Sequence, residues 1–404
     1  MSFTLDVEIC QKPESALSRD EIGNMVQNMI LRTPEIHINK IYNDRSYWWN
    51  HLMIRHIYSI TCSCDNIEKE TVYMKDCSGV RTFVYRLTGE EAGTETMQCD
   101  SEELPVASHW ILPCREFEGL WENLCYPPSV KENVTRNLYN FVETSIMFSD
   151  KKVNPNIISW NKVVLLHGPP GTGKTSLCKA LAQKATIRLS KKFNRGELIE
   201  INSHSLFSKW FSESGKLVMK LFSEIKRLLE DPQAFICILI DEVESLAHAR
   251  KSSMNGTEPS DSIRVVNALL TQLDQIKSYK NVLILTTSNI TEAIDLAFVD
   301  RADIKQYIGN PIENSIRLIY LTCLRELMRV AVIKSIDDQE LREQLNSNSL
   351  ISLSCGLSGR ALRKIPFLTQ ALHMKTNSEC DLKDFIDAMK KVVIYYKENE
   401  LDGK

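Results

Sequence analysis

Gly168-Pro169-Pro170-Gly171-Thr172-Gly173-Lys174-Thr175 fills every position of the phosphate-loop pattern G-x-x-x-x-G-K-[ST]. Its flanks suit it. The apolar run 163–166 reads as a strand entering the loop, and residues 176–182 read as a helix leaving it. Each residue type answers a physical need. Glycines let successive backbone N–H groups curl around a phosphate with no side chain in the way, and the helix N-terminus adds its dipole. Lys174 can reach the β- and γ-phosphates, Thr175 can offer a hydroxyl to Mg²⁺, and Ser176 opens the helix behind them. ATP with Mg²⁺ is the ligand pair this pattern predicts.

Three further runs, 198–201, 235–240 and 282–285, are apolar nearly throughout, as strands covered on both faces are. Amphipathic helical stretches alternate with them, which predicts a parallel sheet flanked by helices over residues 101–309. The run 235–240 ends in Asp241-Glu242. It therefore carries two carboxylates to the sheet's C-terminal edge, where open α/β folds bind ligands. In that setting Asp241 holds the Mg²⁺ shell and Glu242 polarises the attacking water. Asn289 closes the next apolar strand, where its amide can align that water. An ordinary strand-closing or helix-capping asparagine is the plainer alternative.

On the N-terminal side, Phe3, Leu5, Val7 and Ile9 alternate with Thr4, Asp6, Glu8 and Cys10, the period of a half-buried strand. A helix is expected from Ser18, with Asp20 and Glu21 in its first turn and Ile22, Met25, Val26, Met29 and Ile30 on one face. Strand-like runs at 57–62, 71–74 and 82–87 complete a small mixed α/β domain over residues 1–100. The acidic stretch 89–103 reads as a solvated connector. Beyond Pro311 only helical periodicity remains, as in Ile316, Ile319, Tyr320, Cys323 and Leu327, so residues 310–404 read as a small helical lid.

Composition narrows the function classes. A chain of 404 residues can bury two or three cores, and 43% hydrophobic residues place it among globular proteins rather than disordered ones. A formal net charge of -3 argues against wholesale binding to nucleic acid or an anionic membrane. The basic run Arg188-Leu-Ser-Lys-Lys-Phe-Asn-Arg195 reads as a solvated surface loop rather than a DNA contact or nuclear localisation signal. The twelve cysteines are scattered and form no C-x-x-C pair, the pattern of free thiols in a reducing compartment. The N-terminus lacks a secretory pattern, and no stretch approaches the roughly 20 apolar residues of a membrane span. A soluble intracellular protein is expected.

These parts resemble the AAA+ ATPases. Ser262-Ile-Arg-Val-Val-Asn267-Ala-Leu-Leu-Thr-Gln-Leu-Asp274 looks like the helix that follows the Asp-Glu strand in that class. By resemblance Asn289 is the first sensor. Arg301, in Asp295-Leu-Ala-Phe-Val-Asp-Arg301-Ala-Asp303, matches the arginine finger reaching a neighbouring subunit's nucleotide. Arg360, in Gly356-Leu-Ser-Gly-Arg360, matches the second sensor at the start of a lid helix. Many AAA+ proteins carry two arginines in the finger stretch; here Asp300 stands at the first position.

Three longer strings are more specific. Lys209-Trp210-Phe211-Ser-Glu-Ser-Gly215-Lys216, Phe298-Val-Asp-Arg-Ala-Asp-Ile-Lys-Gln-Tyr-Ile308 and Leu357-Ser-Gly-Arg-Ala-Leu-Arg-Lys-Ile-Pro-Phe367 resemble the pachytene-checkpoint, or thyroid-receptor-interacting, AAA+ family. The resemblance is strong over residues 104–372 and weak before them. It implies an AAA+ parallel-sheet P-loop ATPase domain with a C-terminal helical lid and a small N-terminal α/β substrate-recognition domain. It further implies a homohexamer that opens HORMA-domain proteins in meiotic chromosome-axis and spindle-checkpoint control, with a HORMA adaptor as a further partner. Trp210 and Phe211 would line the pore and grip an extended peptide. Nucleus and cytoplasm, with chromosome association in meiotic cells, are the implied locations; no membrane or direct nucleic-acid partner is expected. A nucleotide-gated scaffold and a nucleic-acid-linked AAA+ motor are the rivals. The intact Lys174, Asp241, Glu242 and Asn289 speak against the first, and aromatic rather than basic pore residues against the second.

Overall fold

β1 (Phe3–Gln11) forms where apolar and polar residues alternate, and its Leu5, Val7 and Ile9 share a core with Ile22, Val26 and Ile30 of the helix Arg19–Ile30. That helix begins at a capping box. The Ser18 hydroxyl accepts the Glu21 N–H, and the Glu21 carboxylate accepts the Ser18 N–H at 2.8 Å. This is a computed structural model, which describes residues 3–38, 40–43, 49–64, 71–99, 102–154, 156–202, 214–245, 261–289, 296–374 and 379–402. The chain divides into two compact units. One comprises residues 1–122, 132–167 and 175–306, and the other residues 123–131, 168–174 and 307–404.

In the first unit β1 is a central strand. β2 (Glu35–His37) pairs with β5 (Thr71–Tyr73), while β3 (Ile41–Tyr42), β4 (Ile57–Cys64), β1 and β6 (Cys77–Tyr85) make a four-stranded sheet in that order. The half-buried exposure expected of β1 is not what the fold builds. Asp6 and Glu8 are as buried as Leu5 and Val7. Arg81 of β6 meets Asp6 at 2.6 Å, and the helix Lys174–Arg188 brings Lys184 and Arg188 to Glu8. Lys184 also pairs with Glu122 at 3.0 Å. Charges can be buried in this way only because each has a partner. Within the basic run, half-buried Arg188 ends the helix and meets Asp6 and Glu8, whereas Lys192 and Arg195 stay exposed, paired with Asp150 and Glu197, as the surface-loop reading expects.

β7 (Gly93–Cys99) and β8 (Glu102–Leu112) are antiparallel and join the second sheet, whose order is β13-β9-β12-β11-β10-β8-β7. Its other strands are β9 (Val163–His167), β10 (Arg195–Asn202), β11 (Ala234–Asp241), β12 (Val282–Ser288) and β13 (Ile304–Tyr307). The acidic stretch expected to be a solvated connector therefore supplies a hairpin, and the boundary expected near residue 100 falls inside it. Ladder pairing at a sheet edge prevails over polar composition there. The middle strands β9, β12, β11 and β10 run parallel, as expected. Their apolar runs are buried beneath the helices Ser214–Leu229 and Asp261–Ile276, with Phe222, Ile225, Leu269 and Leu273 packed among Ile236, Ile238 and Ile284. Each such aliphatic side chain contributes about 1.5–3 kcal/mol of burial.

The second unit carries the helices Glu313–Arg329, Asp338–Asn346, Leu350–Leu353, Gly359–His373 and Leu382–Asp402. Tyr320, Leu324, Leu362, Ile365, Phe385 and Met389 form its core, so the C-terminal region is the helical lid that its periodicity implies. The Tyr320 hydroxyl, buried in that core, is satisfied by Ser354 at 2.7 Å. The cysteines whose side chains are described are free thiols. Among the described residues no helix is long and apolar enough to cross a membrane.

Candidate nucleotide site

The phosphate loop belongs to the second unit, and its shape depends on glycine. Gly168 has φ +144°, and a Cβ there would lie 2.2 Å from the Ile308 carbonyl oxygen. Gly173 has φ +88°, and a Cβ would lie 2.8 Å from the Tyr126 hydroxyl. That hydroxyl donates to the Thr172 carbonyl at 2.9 Å, and the Thr172 hydroxyl donates to the Pro169 carbonyl at 3.0 Å. The Lys174 ammonium curls back over the loop, donating to the Gly168 and Pro169 carbonyls at 2.9 and 2.8 Å. The rings of Pro169 and Pro170 restrict their own φ to about −65°, which stiffens the chain between Gly168 and Gly171. Arg360 stands in the first turn of the lid helix Gly359–His373, which Ser358 caps. Its backbone N–H donates to the Gly171 carbonyl at 3.0 Å, which ties the lid helix to the loop within this unit. The resemblance singled out Arg360 for its side chain, whereas this contact is made by its main chain; Tyr126 was not singled out.

Thr175 and Ser176, the next residues of the helix Lys174–Arg188, lie at the edge of the first unit's parallel sheet. The Thr175 hydroxyl is 2.9 and 3.1 Å from the two carboxylate oxygens of Asp241, the last residue of β11. A hydroxyl and a carboxylate side by side are hard oxygen donors of the kind Mg²⁺ takes, so this pair fits the metal implied by the loop. The Thr287 hydroxyl also donates to Asp241 Oδ1, and it accepts the Glu242 N–H at 3.1 Å.

Glu242 is in the left-handed region, φ +56°, which for a residue with a side chain costs about 1–3 kcal/mol. The turn is kept by Val243 N–H donating to the Thr287 carbonyl at 2.9 Å and Ser245 N–H donating to the Glu242 carbonyl at 3.1 Å. The exposed Glu242 carboxylate accepts the Asn289 amide at 3.2 Å through Oε1. Asn289 is placed in turn by its own N–H, which donates to the buried Glu244 carboxylate at 3.1 Å. A carboxylate, an amide and two further oxygen donors, the groups expected to serve as base, water-orienting group and metal ligands, thus share one sheet edge.

Arg301 ends the helix Leu296–Arg301 and makes a two-point ion pair with Asp274 of the helix Asp261–Ile276, at 3.2 and 2.7 Å. Its third nitrogen donates to the Ala297 carbonyl. Burial alone would raise the Asp274 pKa, but Arg301 outweighs it and holds the carboxyl below the usual range. The residue expected to be the finger is therefore engaged within its own chain. Trp210 and Phe211 lie outside the described residues.

Thr287 and Glu244 in the first unit, and Tyr126 in the second, make contacts with the expected residues that the sequence did not single out. Thr287 carries a local signal, since it stands two residues before Asn289 on the same strand. Tyr126 carries none, being 46 residues from its partner Thr172.

Comparison with known proteins identifies the family and the fold. The profile of the ATPase family associated with various cellular activities (AAA) matches residues 164–310. The profile of the TRIP13-like AAA+ ATPase lid C-terminal domain matches residues 338–397. The pachytene checkpoint protein 2 homolog of Homo sapiens is 45% identical over 414 aligned residues, which cover 97% of this chain and 93% of the human protein. The solved structure of C. elegans PCH-2 aligns with a TM-score of 0.75 at 31% identity, over 98% of this chain and 99% of that one. A chain of the E. coli MS115-1 HORMA:CdnC:Trip13 complex shares the fold with a TM-score of 0.55 at 17% identity, over 71% of this chain and 94% of its own. A complete phosphate loop, an Asp-Glu strand edge and a matching lid make the chain an ATP-binding ATPase, and it belongs to the pachytene checkpoint protein 2 family of AAA+ ATPases.

Proposed function

We propose that this ATPase is a Mg²⁺-dependent homohexamer that opens HORMA-domain proteins and so dismantles their complexes. The observation that carries the catalytic part is the Glu242–Asn289 pair at 3.2 Å, on the same edge as Asp241 and Thr175. In this reading Glu242 takes a proton from the attacking water and Asn289 orients that water. The loop from Gly168 to Lys174 wraps the phosphates with backbone N–H groups. Thr175 and Asp241 hold Mg²⁺, which when bound neutralises charge developing on the phosphates. Arg360 acts on the phosphates of its own chain. Arg301 leaves Asp274 to reach the nucleotide of a neighbouring subunit, a contribution worth about 10³-fold or more in rate.

The HORMA substrate class rests on family membership and on the fold shared with the Trip13-complex chain. The four-stranded sheet and its helices serve as the recognition part, the seven-stranded sheet as the motor and the C-terminal helices as the lid. Trp210 and Phe211 grip the substrate in the pore, and the protein works in nucleus and cytoplasm, on chromosomes in meiotic cells. The test is ATP hydrolysis by the wild type and by Glu242→Gln, each with and without a HORMA-domain protein. Sedimentation in ATP reports the oligomer. Turnover that rises with the HORMA protein, vanishes in the variant and accompanies a six-subunit species is expected. A monomer that hydrolyses ATP at a rate indifferent to the HORMA protein would overturn the remodelling reading.

A further inference from the structure

We infer that Thr287 is the positioning residue that sets the metal-binding carboxylate and the general base in register, through the two hydrogen bonds of a single buried hydroxyl. The proposal rests on the reading of Asp241 as a metal ligand and Glu242 as the base. β11 and β12 run parallel with Ile240 opposite Thr286, so Thr287 arrives beside Asp241 where β11 ends. The residue is 1% exposed, so its hydroxyl is turned away from bulk solvent. A threonine hydroxyl has one proton to donate and lone pairs to accept with. Here the proton goes to Asp241 Oδ1 and a lone pair takes the Glu242 N–H at 3.1 Å. The Thr287 carbonyl takes the next N–H, from Val243, at 2.9 Å.

Two consequences follow from where these bonds end. Asp241 Oδ1 is also the oxygen that Thr175 approaches at 2.9 Å, so Thr287 turns the carboxylate that faces the other oxygen donor of the metal pair. The Glu242 N–H belongs to the residue whose backbone is in the left-handed region, and the bond to Thr287 is one of those that keep it there. One hydroxyl thus fixes both the carboxylate plane of Asp241 and the direction in which Glu242 leaves the strand. Groups that orient metal ligands in this way are worth about 10–100-fold in metal affinity or activity.

Thr286 supplies a matched control. It is equally buried on the same strand, but its hydroxyl donates to the Val164 carbonyl, away from the carboxylates. The experiment compares Thr287→Val, Thr287→Ser, Thr286→Val and Glu242→Gln for three quantities: kcat, KM for ATP, and the Mg²⁺ dependence of binding to a fluorescent ATP analogue. Thr287→Val is expected to lower kcat by about 10-fold or more and to raise the Mg²⁺ needed for tight analogue binding by about 10-fold, with metal-free analogue binding unchanged. Thr287→Ser, which keeps the hydroxyl, is expected within about threefold of wild type in all three. Thr286→Val keeps wild-type kcat and Mg²⁺ dependence. Should Thr287→Val not fold, Thr287→Ala is read by the same criteria.

Wild-type kcat and Mg²⁺ dependence in the variant lacking the hydroxyl overturns the proposal. So does an equal loss in Thr286→Val, or a failure of Thr287→Ser to restore function. Wild-type hydrolysis by Glu242→Gln instead overturns the reading of the site itself, whatever Thr287 does.

Discussion

β1 and β11 are both flanked by strands on either side; β1 holds two acids within it, whereas β11 ends on one, Asp241, with Glu242 just beyond, and the two pairs of acids are used in opposite ways. In β1, Asp6 and Glu8 sit in mid-strand and are buried under Arg81, Lys184 and Arg188. Burial on its own would raise the Glu8 pKa; Lys184 and Arg188 outweigh it and hold the carboxyl below the usual range. Lys184, though buried, is held above its own usual value by Glu8 and Glu122. β11 is apolar from Ala234 through Ile240 and reaches its acids only at the sheet edge, where Asp241 meets hydroxyls and Glu242 is exposed. Mid-strand acids neutralised by cations hold structure together. The acids at the C-terminal edge meet Thr175, Thr287 and Asn289, the groups that the proposed function sets around a metal and a water.

The two strands should therefore fail differently. Glu242→Gln is expected to cut ATP hydrolysis by roughly 10²–10⁴-fold while the nucleotide still binds and the melting temperature is unchanged. Substantial residual turnover would break the comparison on the β11 side. Glu8→Ala is expected to do the reverse. Removing one partner of a buried ion network strands the others, at about 3–5 kcal/mol of stability in chemical denaturation, with analogue binding to the folded fraction intact. A stability loss under about 1 kcal/mol would show that the β1 cluster is solvated in effect, and the contrast would dissolve.

Acid sharpens the same point. Glu8 is depressed in the folded state, so its contribution is fully present above its ordinary pKa near 4.5 and is lost as the pH falls through the lower folded value. Denaturation midpoints followed downward from pH 5 should decline less steeply in Glu8→Gln than in the wild type; equal slopes would assign acid sensitivity to other carboxyls. The smallest effect is expected at Asp274→Asn. Its pair with Arg301 is partly exposed, so the isolated chain should lose about 0–1 kcal/mol. A larger loss would class this pair with the β1 cluster rather than with surface ion pairs.

Much of the molecule was legible in one dimension because its signals are local. The eight residues of the loop, the apolar runs of β9 to β12 and the Asp241-Glu242 strand end each state their role within about ten residues of sequence. The lid was legible for the same reason, as helical periodicity. The hairpin β7–β8 was not, since an acidic stretch joins a sheet only when another strand offers its backbone. Likewise, alternation at residues 3–10 announced a strand but said nothing of what covers its polar face.

Residue identity and spacing alone determined that this chain is a P-loop ATPase with a helical lid, and they singled out Asp241, Glu242 and Asn289. Tertiary structure alone decided that Lys184 lies against Glu8, 176 residues away, that Thr287 lies against Asp241, 46 away, and that Arg301 rests on Asp274. The physical reason is that a motif is written by neighbours along the backbone, which share one helix or strand. A hydrogen bond or ion pair across the fold depends on which elements pack together, and no periodicity within either partner encodes the other's position.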